Sequence, residues 1–266
     1  MRRGQLFWGI ILVVFGLALL VGNIFEINVW DYLWPLILIG LGAAILWGTL
    51  RRRDSETYSE TFVLPFEGSE RARIKVQYGA GKLTVHGDPG AADLIAGNFS
   101  GGVEHTTRQE NGVTVVTLRS PVQHVTMWPW DWADAGSHRK WSVGLSDRVP
   151  LDLEFETGAC DAYLNLASLL VKSLRVQTGA SSTVIRLPER AGQTDVRLES
   201  GAASMEVRVP DGVAARIVTR GGLASNAVDT ARFPRTGEAY QSPDYDTAAN
   251  RVNITVETGV GSVDIR

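Results

Sequence analysis

One short segment recurs along this chain, and its spacing constrains the fold more than any other feature. The segment Leu153-Glu-Phe-Glu-Thr-Gly-Ala returns in related form 21 residues later and again 22 residues after that. The same unit occurs far upstream and near the C-terminus, and a degenerate copy lies around Gly221 and Gly222. The glycines of the five clear copies are Gly79, Gly158, Gly179, Gly201 and Gly259. A recurring unit of this length predicts a repeat architecture.

Apolar residues hold fixed positions around each glycine: five and three residues before it, four and six after it. Around Gly158 they are Leu153, Phe155, Ala162 and Leu164. Steps of two are typical of strands with one buried face. Each unit therefore predicts a strand, a tight turn in which glycine supplies a positive φ, and a second strand. Because one unit cannot bury its apolar face alone, we expect an all-β, β-solenoid-like stack of coils.

The N-terminal part predicts a transmembrane hairpin with helices at about 5–22 and 33–50. Two uncharged apolar runs, 6–21 and 33–50, are separated by a short segment without Lys or Arg. A cleaved signal peptide is the alternative for the first run, but no small-residue cleavage site follows it. The flanking basic residues are Arg2, Arg3, Arg51, Arg52 and Arg53. The positive-inside rule therefore predicts that both termini, and the β domain, are cytoplasmic.

Composition divides the chain into a membrane part and an acidic part. Residues 1–53 hold 5 basic and 2 acidic residues, so the remaining 213 residues hold 21 and 27, a net charge of −6. Nucleic acid is an unfavourable partner for such a surface. We predict a hairpin at 1–53, a juxtamembrane linker at 54–70 and a β-repeat domain at 71–266. The single cysteine, Cys160, excludes an internal disulfide.

A tryptophan-rich insert at 120–150 interrupts the repeats. Its tryptophans are Trp128, Trp130, Trp132 and Trp141. Three interpretations remain open. The insert covers the open end of the stack, it enters the membrane interface, or it forms a patch that binds a partner or ligand. If the domain has a functional surface, we expect it here.

The sequence predicts no catalytic residue, no cofactor and no metal site. The four histidines, at 86, 105, 124 and 138, lack metal-ligand spacing. Cys160 occupies a slot that holds Ser, Ala or Gly in the other repeats, which indicates packing rather than nucleophilic chemistry. The glycines at 79 and 81 precede neither a helical pattern nor a Lys-Ser/Thr pair, so a phosphate-binding loop is not indicated.

Both halves of the chain resemble one known combination. Leu6-Phe-Trp-Gly-Ile-Ile-Leu-Val-Val-Phe-Gly and Trp34-Pro-Leu-Ile-Leu-Ile-Gly-Leu-Gly resemble the LiaI/LiaF-like transmembrane region of bacterial envelope-stress proteins. The Thr-Gly-Ala units, with Leu187-Pro188 and Val209-Pro210 after two of them, resemble the toastrack β-repeat domain of LiaF-type C-termini and adhesin-like proteins. This resemblance implies restraint of a membrane histidine kinase, although the chain has one hairpin where the best-known members have more spans.

Together these observations predict a non-catalytic scaffold or regulator in a bacterial inner membrane. Its expected partners are the lipid bilayer, a membrane or cytoplasmic protein such as a sensor kinase, and further copies of itself. The alternative is an extracytoplasmic adhesin-like or structural β-repeat protein, which requires the opposite topology. An enzyme with a pocket beside the insert is the remaining class, and it should depend on His138 or Asp131.

Overall fold

The computed structural model describes residues 59–87, 92–121 and 139–266, together with five helical residues, 35, 38–40 and 42. The chain divides into two compact units, 1–55 and 56–266, and the second contains all the described strands. The predicted hairpin, with its flanking arginines, lies outside the described residues apart from those five. Among the residues that are described, no helix has the length and apolar character needed to cross a membrane.

Thirteen strands of the described part of the chain belong to one sheet. Their bounds are β1 Ser59–Pro65, β2 Arg71–Gly87, β3 Asp93–Ser100, β4 Glu104–Glu110, β5 Val113–Arg119, β6 Lys140–Leu145, β7 Leu151–Asn165, β8 Val171–Arg186, β9 Gln193–Arg208, β10 Ala214–Val228, β11 Arg235–Thr236, β12 Ala239–Gln241 and β13 Arg251–Ile265. The six long strands each contain one repeat unit. The fold is therefore mostly β, as the sequence predicts.

Each long strand must bend at its repeat glycine. A straight strand with the 15 residues of β7 would extend for about 46 Å. The parallel pairing of Leu151 with Val171 nevertheless brings the start of β8 beside the start of β7. Only residues 166–170 connect the two strands, and they span at most about 21 Å. We call the part before the glycine the first arm and the part after it the second arm.

Burial confirms that the two arms enclose one core. The buried side chains of β7 are Leu151, Leu153, Phe155, Cys160, Ala162 and Leu164. They change from odd to even positions at Gly158, which would place them on opposite faces of a straight strand. Because the strand bends there, both sets contribute to a single apolar cluster. The apolar positions around Gly158 identified from the sequence are all in this core.

The repeat glycines allow close backbone approach, and the prediction of a positive φ at these positions is wrong. None of the five is among the described glycines with positive φ. The ladder continues on both sides of the glycine, since Thr157 pairs with Thr178 and Ala159 with Ala180. A Cβ added to Gly158 would lie 2.5 Å from the carbonyl oxygen of Gly79. The glycines therefore form a column in which each backbone closely approaches the next.

Chain order and spatial order differ at the C-terminus. The long strands follow one another as β2-β7-β8-β9-β13-β10, all parallel and in register. The last repeat, β13, thus lies between β9 and β10. The degenerate repeat is genuine, because Gly221 and Leu223 of β10 pair with Thr258 and Val260 on either side of Gly259. The first arm of β10 also pairs with β12.

Strands β5 and β6 together form one further coil, which is interrupted at its corner. β5 pairs with the first arm of β2, from Arg71 to Gln77, and β6 pairs with its second arm, from Lys82 to Gly87. In the sequence, residues 120–139 therefore separate the two arms of this coil, where β2 has only the four corner residues 78–81. The predicted insert, 120–150, was too long at its C-terminal end because it included β6.

The folded domain also begins earlier than predicted. Strand β1 lies within the predicted linker, 54–70, and pairs antiparallel with β3 along its whole length. Strands β3 and β6 pair antiparallel, as do β4 and β5, so antiparallel strands extend both arms beyond β2. The alternation of Phe62 and Leu64 with polar residues gives β1 one face that packs against the core.

Candidate interaction surfaces of the β-repeat stack

The outer face of the first arms is a ladder of paired charges. In sheet order, the row two residues before the glycine reads Arg119, Gln77, Glu156, Gln177, Glu199, Glu257 and Arg220. At its centre, Gln77 donates to Glu156 at 2.6 Å and Gln177 donates to Glu199 at 2.7 Å. Gln177 thus separates Glu156 from Glu199, whereas Glu199 and Glu257 are paired directly on adjacent strands and Arg197 donates to both.

The neighbouring row supplies the cations of this first-arm face. Lys75 donates to Glu156 at 2.5 Å, and this hydrogen bond holds the pKa of Glu156 below its usual value and raises that of Lys75. The hydrogen bond from Gln177, followed by that from Arg197, likewise lowers the pKa of Glu199. These side chains are partly exposed to solvent, so each ion pair contributes little to stability, about 0–1 kcal/mol.

The outer face of the second arms has a different character. Three rows of small or uncharged residues follow the glycine column across neighbouring strands. The first row contains Ala159, Ala180, Ala202 and Val260, the second Ser182, Ser204, Ser262 and Ser225, and the third Tyr163 and Val184. Val260 is 54% exposed and Tyr163 is 44% exposed, and both belong to the few exposed large apolar residues of the described strands. We call this surface the second-arm face.

In these three rows of the described strands, charged residues lie on both sides of β8, the middle strand of the second-arm face. Lys82 and Lys140 lie on one side, on β2 and β6, with Asp161 on the adjacent β7. Glu206 and Asp264 lie on the other side of β8, on β9 and β13, and the outermost strand β10 contributes Ser225 and Ala227. Glu206 accepts hydrogen bonds from Arg208 and Arg266. The lysines are therefore accompanied by Asp161, and Glu206 is accompanied by two arginines, so neither side of the face carries a single sign of charge.

The predicted tryptophan patch is not a single surface. Trp128, Trp130 and Trp132 lie outside the described residues. Trp141 is 1% exposed and packs against Tyr78 and Phe99, with ring centroids 4.9 Å away in each case. Trp141 occupies a buried position of β6 opposite Leu83, so it belongs to the core and cannot contribute to an exposed patch.

The corner of β2 holds both ends of the insert by hydrogen bonds. Ser120 donates its backbone N–H to the carbonyl oxygen of Gln77 at 3.0 Å, and Lys82 donates to that of Arg139 at 2.9 Å. The Tyr78 hydroxyl also donates to the Arg139 carbonyl at 3.0 Å. Burial raises the pKa of Tyr78, with Cys160 adding to the shift. The insert therefore leaves and re-enters the stack beside the first glycine of the column.

A polar seam lines the inside of the corners. Thr178, Ser200 and Thr258 each precede the repeat glycine on three adjacent strands, and their buried hydroxyl oxygens have no hydrogen-bond partner among the described residues. Cys160 lies in the inward position two residues after the glycine, in the same row as Gly81 and Ser181. Burial raises the pKa of the Cys160 thiol to about 11, so it is protonated at neutral pH.

Neither the histidines nor the acidic residues of the described strands form a metal site. No group of three or more His, Cys, Asp or Glu side chains in the described ranges could hold a metal ion. His105 stacks on Phe62, with ring centroids 4.4 Å apart, and His86 lies near the end of β2. The two histidines of the insert, at 124 and 138, lie outside the described residues.

Comparison with known proteins identifies the family. The sequence profile of the N-terminal domain of toast_rack (DUF2154) matches residues 52–208, which is more than half of the chain. The chain belongs to the toast-rack family. A second profile, the LiaI-LiaF-like transmembrane region, matches residues 6–46 and identifies this toast-rack chain as a membrane-anchored protein. Both halves of the resemblance inferred from the sequence are thereby confirmed.

A solved structure with a TM-score above 0.5 shows the same fold for the toast-rack domain. A candidate cell adhesion protein from Clostridium sporogenes ATCC 15579 superposes with a TM-score of 0.68 at 18% identity, covering 78% of this chain and 98% of that one. A candidate adhesin from Bacteroides fragilis NCTC 9343 gives a TM-score of 0.30 at 7% identity, with 79% and 99% coverage. A search of curated proteins gives no match.

Sequence reasoning missed the second-arm face. The signal was present, because the residues one, three and five positions after each glycine are mostly small or uncharged in the three central repeats, where the outward residues before the glycine are charged or amide-bearing. From the sequence alone, both sets are simply outward positions of strands. Only the bend separates them into two different surfaces.

Proposed function

We propose that this chain is a membrane-anchored, non-catalytic scaffold that binds another protein in cell-envelope stress signalling. The observation that carries the proposal is the union, in one chain, of a LiaI-LiaF-like transmembrane region with a rigid stack whose first-arm face is a continuous charge ladder. The anchor would supply location, and the stack would supply a long surface of fixed spacing.

The first-arm face suits a protein partner with complementary charges. Its ion pairs are partly exposed and individually weak, so a partner could exchange them at little cost. Charged rows of this kind favour specificity and fast association more than they favour affinity. Arg175 and Arg197 are 46% and 52% exposed and are therefore accessible for such an exchange.

We further propose that the β domain is cytoplasmic, because basic residues flank both apolar runs. In this orientation a sensor kinase is the expected partner. The likeness to a candidate cell adhesion protein favours the other candidate function, an extracytoplasmic adhesin-like protein. The two proposals differ in the side of the membrane that the stack occupies.

Topology is tested with a single exposed cysteine. In a Cys160→Ser background, Ser173→Cys places a thiol on the exposed first arm of β8, and intact cells are treated with a membrane-impermeant maleimide. Labelling only after the cells are opened supports the cytoplasmic scaffold. Labelling of intact cells overturns the orientation and favours the adhesin-like protein.

Partner binding is tested by placing a photo-crosslinking amino acid at Arg175 in the full-length protein in its native membrane. A reproducible crosslink to a different protein supports the scaffold proposal. The same substitution at Glu104, on the exposed strand β4, is the control for nonspecific capture. Crosslinks to this chain alone would count against a signalling partner.

A further inference from the structure

We infer that strands β10 and β13 can exchange places, so that the C-terminal end of the stack has two alternative strand orders. The described order at this end is β9-β13-β10. In the second order, β9-β10-β13, the spatial sequence of the strands is also their sequence along the chain. The inference concerns a conformational change at the end of the stack, and it does not depend on the proposed signalling partner.

The connection between β9 and β10 has the length of a connection between neighbouring coils. Residues 166–170 join β7 to β8 and residues 187–192 join β8 to β9, and the strands of both pairs are adjacent. Residues 209–213 join β9 to β10 with a segment of similar length, although β13 lies between these two strands. The connection is therefore long enough for β10 to pair directly with β9.

Complementary charges without partners lie on the two sides of β13. In the row six residues before the glycine, the neighbours across β9, β13 and β10 are Asp195, Asn253 and Arg216. Among the described residues, the side chains of Asp195 and Arg216 form no hydrogen bond and no ion pair. Direct pairing of β9 with β10 in the same register would set this carboxylate opposite this guanidinium, which stabilises a strand pair.

The row nearer the corner shows the same relationship. Two residues before the glycine, the three strands carry Glu199, Glu257 and Arg220. The described order sets the two carboxylates directly opposite each other, and Arg197 donates to both of them. Arg220 reaches Glu257 at 3.9 Å. In the second order the row would become Glu199, Arg220 and Glu257, so that a cation would separate the two like charges.

The inward positions of β10 and β13 are interchangeable at the core. Ile217 of β10 lies opposite Ile254 of β13, and both are 0% exposed. Val228 likewise lies opposite Ile265. Strand β10 also carries a glycine, Gly222, at the column position. Because both strands repeat the same pattern of apolar residues around a glycine, β10 can pair with β9 without exposing the core.

Contacts outside the repeats hold the described order. Strand β12 pairs with the first arm of β10 at Arg216 and Ile217. Arg232 donates to the backbone carbonyl oxygens of Val209 and Pro210 at 2.6 and 2.5 Å, within the connection between β9 and β10. The two orders therefore exchange the packing of the segment after β10 for better charge pairing along β9.

The exchange would change the surface at the end of the stack. In the described order the outermost long strand is β10, which carries Arg216 and Arg220 on its outer face. In the second order the outermost long strand is β13, which carries Glu257 and Asp264 at outward positions. This end of the stack would thus change from basic towards acidic, and a charged partner could distinguish the two orders.

Disulfide trapping in native membranes tests the second order. In the Cys160→Ser background, Ser204→Cys with Ser225→Cys places thiols on β9 and β10 in one outward row. These positions lie roughly 9.6 Å apart across β13, beyond the reach of a disulfide, and become neighbours only in the second order. Mild oxidation of the full-length protein should join them within one chain, as identified by mass spectrometry of the monomer.

The matched control is Ser182→Cys with Ser262→Cys in the same background. These positions lie on β8 and β13, which are separated by β9 in the described order and by two strands in the second. The control should give at least fivefold less intramolecular disulfide than Ser204→Cys with Ser225→Cys. Equal yields of the two disulfides would overturn the inference.

A charge reversal tests the physical basis of the exchange. Arg216→Glu would set a carboxylate opposite Asp195 in the second order, whereas position 216 has the uncharged neighbours Asn253 and Gln241 in the described order. It should therefore reduce the disulfide between positions 204 and 225 at least fivefold. Arg235→Glu, on the exposed strand β11, makes the same change of charge away from β9 and should have no effect.

The described order supplies the reference for this charge reversal. The hydroxyl oxygens of Ser204 and Ser262 lie 3.1 Å apart, so Ser204→Cys with Ser262→Cys reports the described order. Its disulfide should form equally well with and without Arg216→Glu, and unchanged thermal unfolding in detergent shows that the fold is intact. An unchanged disulfide between positions 204 and 225 in the Arg216→Glu variant would overturn the inference.

Discussion

Gly158 and Gly79 lie so close together across neighbouring strands that a single methyl group on Gly158 would meet the Gly79 carbonyl oxygen at 2.5 Å. The same relationship recurs along the column, with 3.0 Å at Gly179, 3.2 Å at Gly201 and 2.7 Å at Gly259. A methyl group on Gly79 itself would have no described neighbour within 4 Å, because Gly79 begins the column. Steric approach thus explains the repeated glycine.

This column predicts a graded response to alanine. Gly158→Ala should lower the free energy of unfolding by about 1–3 kcal/mol, since overpacking forces the backbone to move. Gly201→Ala should cost less, because its contact is longer. Gly79→Ala is the matched control and should leave the unfolding temperature unchanged or slightly higher. Thermal unfolding of the full-length protein in detergent measures all three. Equal losses for Gly79→Ala and Gly158→Ala would contradict the steric explanation.

Acid should reduce the stability that the carboxylates of the first-arm face contribute to the folded protein. The pKa values of Glu156 and Glu199 are lower in the folded protein than the ordinary value of 4.5, so the folded state binds fewer protons than the unfolded state near that pH. The stability that these groups contribute is present above pH 4.5 and is lost as the pH falls through their folded pKa values. The unfolding temperature should decrease below that pH.

The double variant Glu156→Gln with Glu199→Gln checks this prediction. It should show a smaller decrease in unfolding temperature between about pH 5 and pH 3 than the parent protein, because two of the titrating groups are gone. Glu104→Gln, on the exposed strand β4, is the control for removal of a surface carboxylate. An identical acid profile for the double variant and the parent would show that other groups govern acid stability.

Cys160 should be unreactive in the folded protein. It is 4% exposed, and burial raises its pKa to about 11, so that little thiolate is present at neutral pH. A thiol-specific reagent should modify it slowly at about pH 7.5 and rapidly after unfolding in guanidinium chloride. Ser173→Cys in the Cys160→Ser background provides the exposed reference thiol. Equally fast modification of both thiols in the native protein would show that the corner opens readily.

The buried hydroxyl of Thr178 should lower the free energy of unfolding. It has no hydrogen-bond partner among the described residues, and a buried unpaired polar group is unfavourable. Thr178→Val keeps the shape of the side chain and should raise the free energy of unfolding by about 1 kcal/mol. Ser173→Ala, at an exposed position of the same strand, is the control. A decrease for Thr178→Val would show that the hydroxyl has a solvent partner.

The repeat pattern was sufficient to predict the β domain and its inward positions. Leu153, Phe155, Ala162 and Leu164 are all buried, as their spacing from Gly158 predicts. The reason is local: the period of two is a property of any strand with one buried face. Trp141 was misassigned because tryptophan in an insert can be either core or surface, and its place in β6 depends on pairing with β2.

The candidate surfaces could be predicted only in part. The alternation of charged and apolar residues before each glycine identifies an outward row, but the hydrogen bonds from Gln77 to Glu156 and from Gln177 to Glu199 require the strands to be in register. The second-arm face depends on the bend as well. Without it, Tyr163 and Val260 are only two apolar residues far apart in the sequence.

The sequence by itself determined that five glycine-centred units stack as strands with one apolar side, and that an apolar, basic-flanked region precedes them. The tertiary structure decided which strands are neighbours. It places β13 between β9 and β10 and builds one coil from β5 and β6 around an interrupted corner. The physical reason is that the repeats present nearly equivalent edges. Local sequence makes each unit able to pair with any other, and only long-range packing, including that of β12 against β10, selects the order.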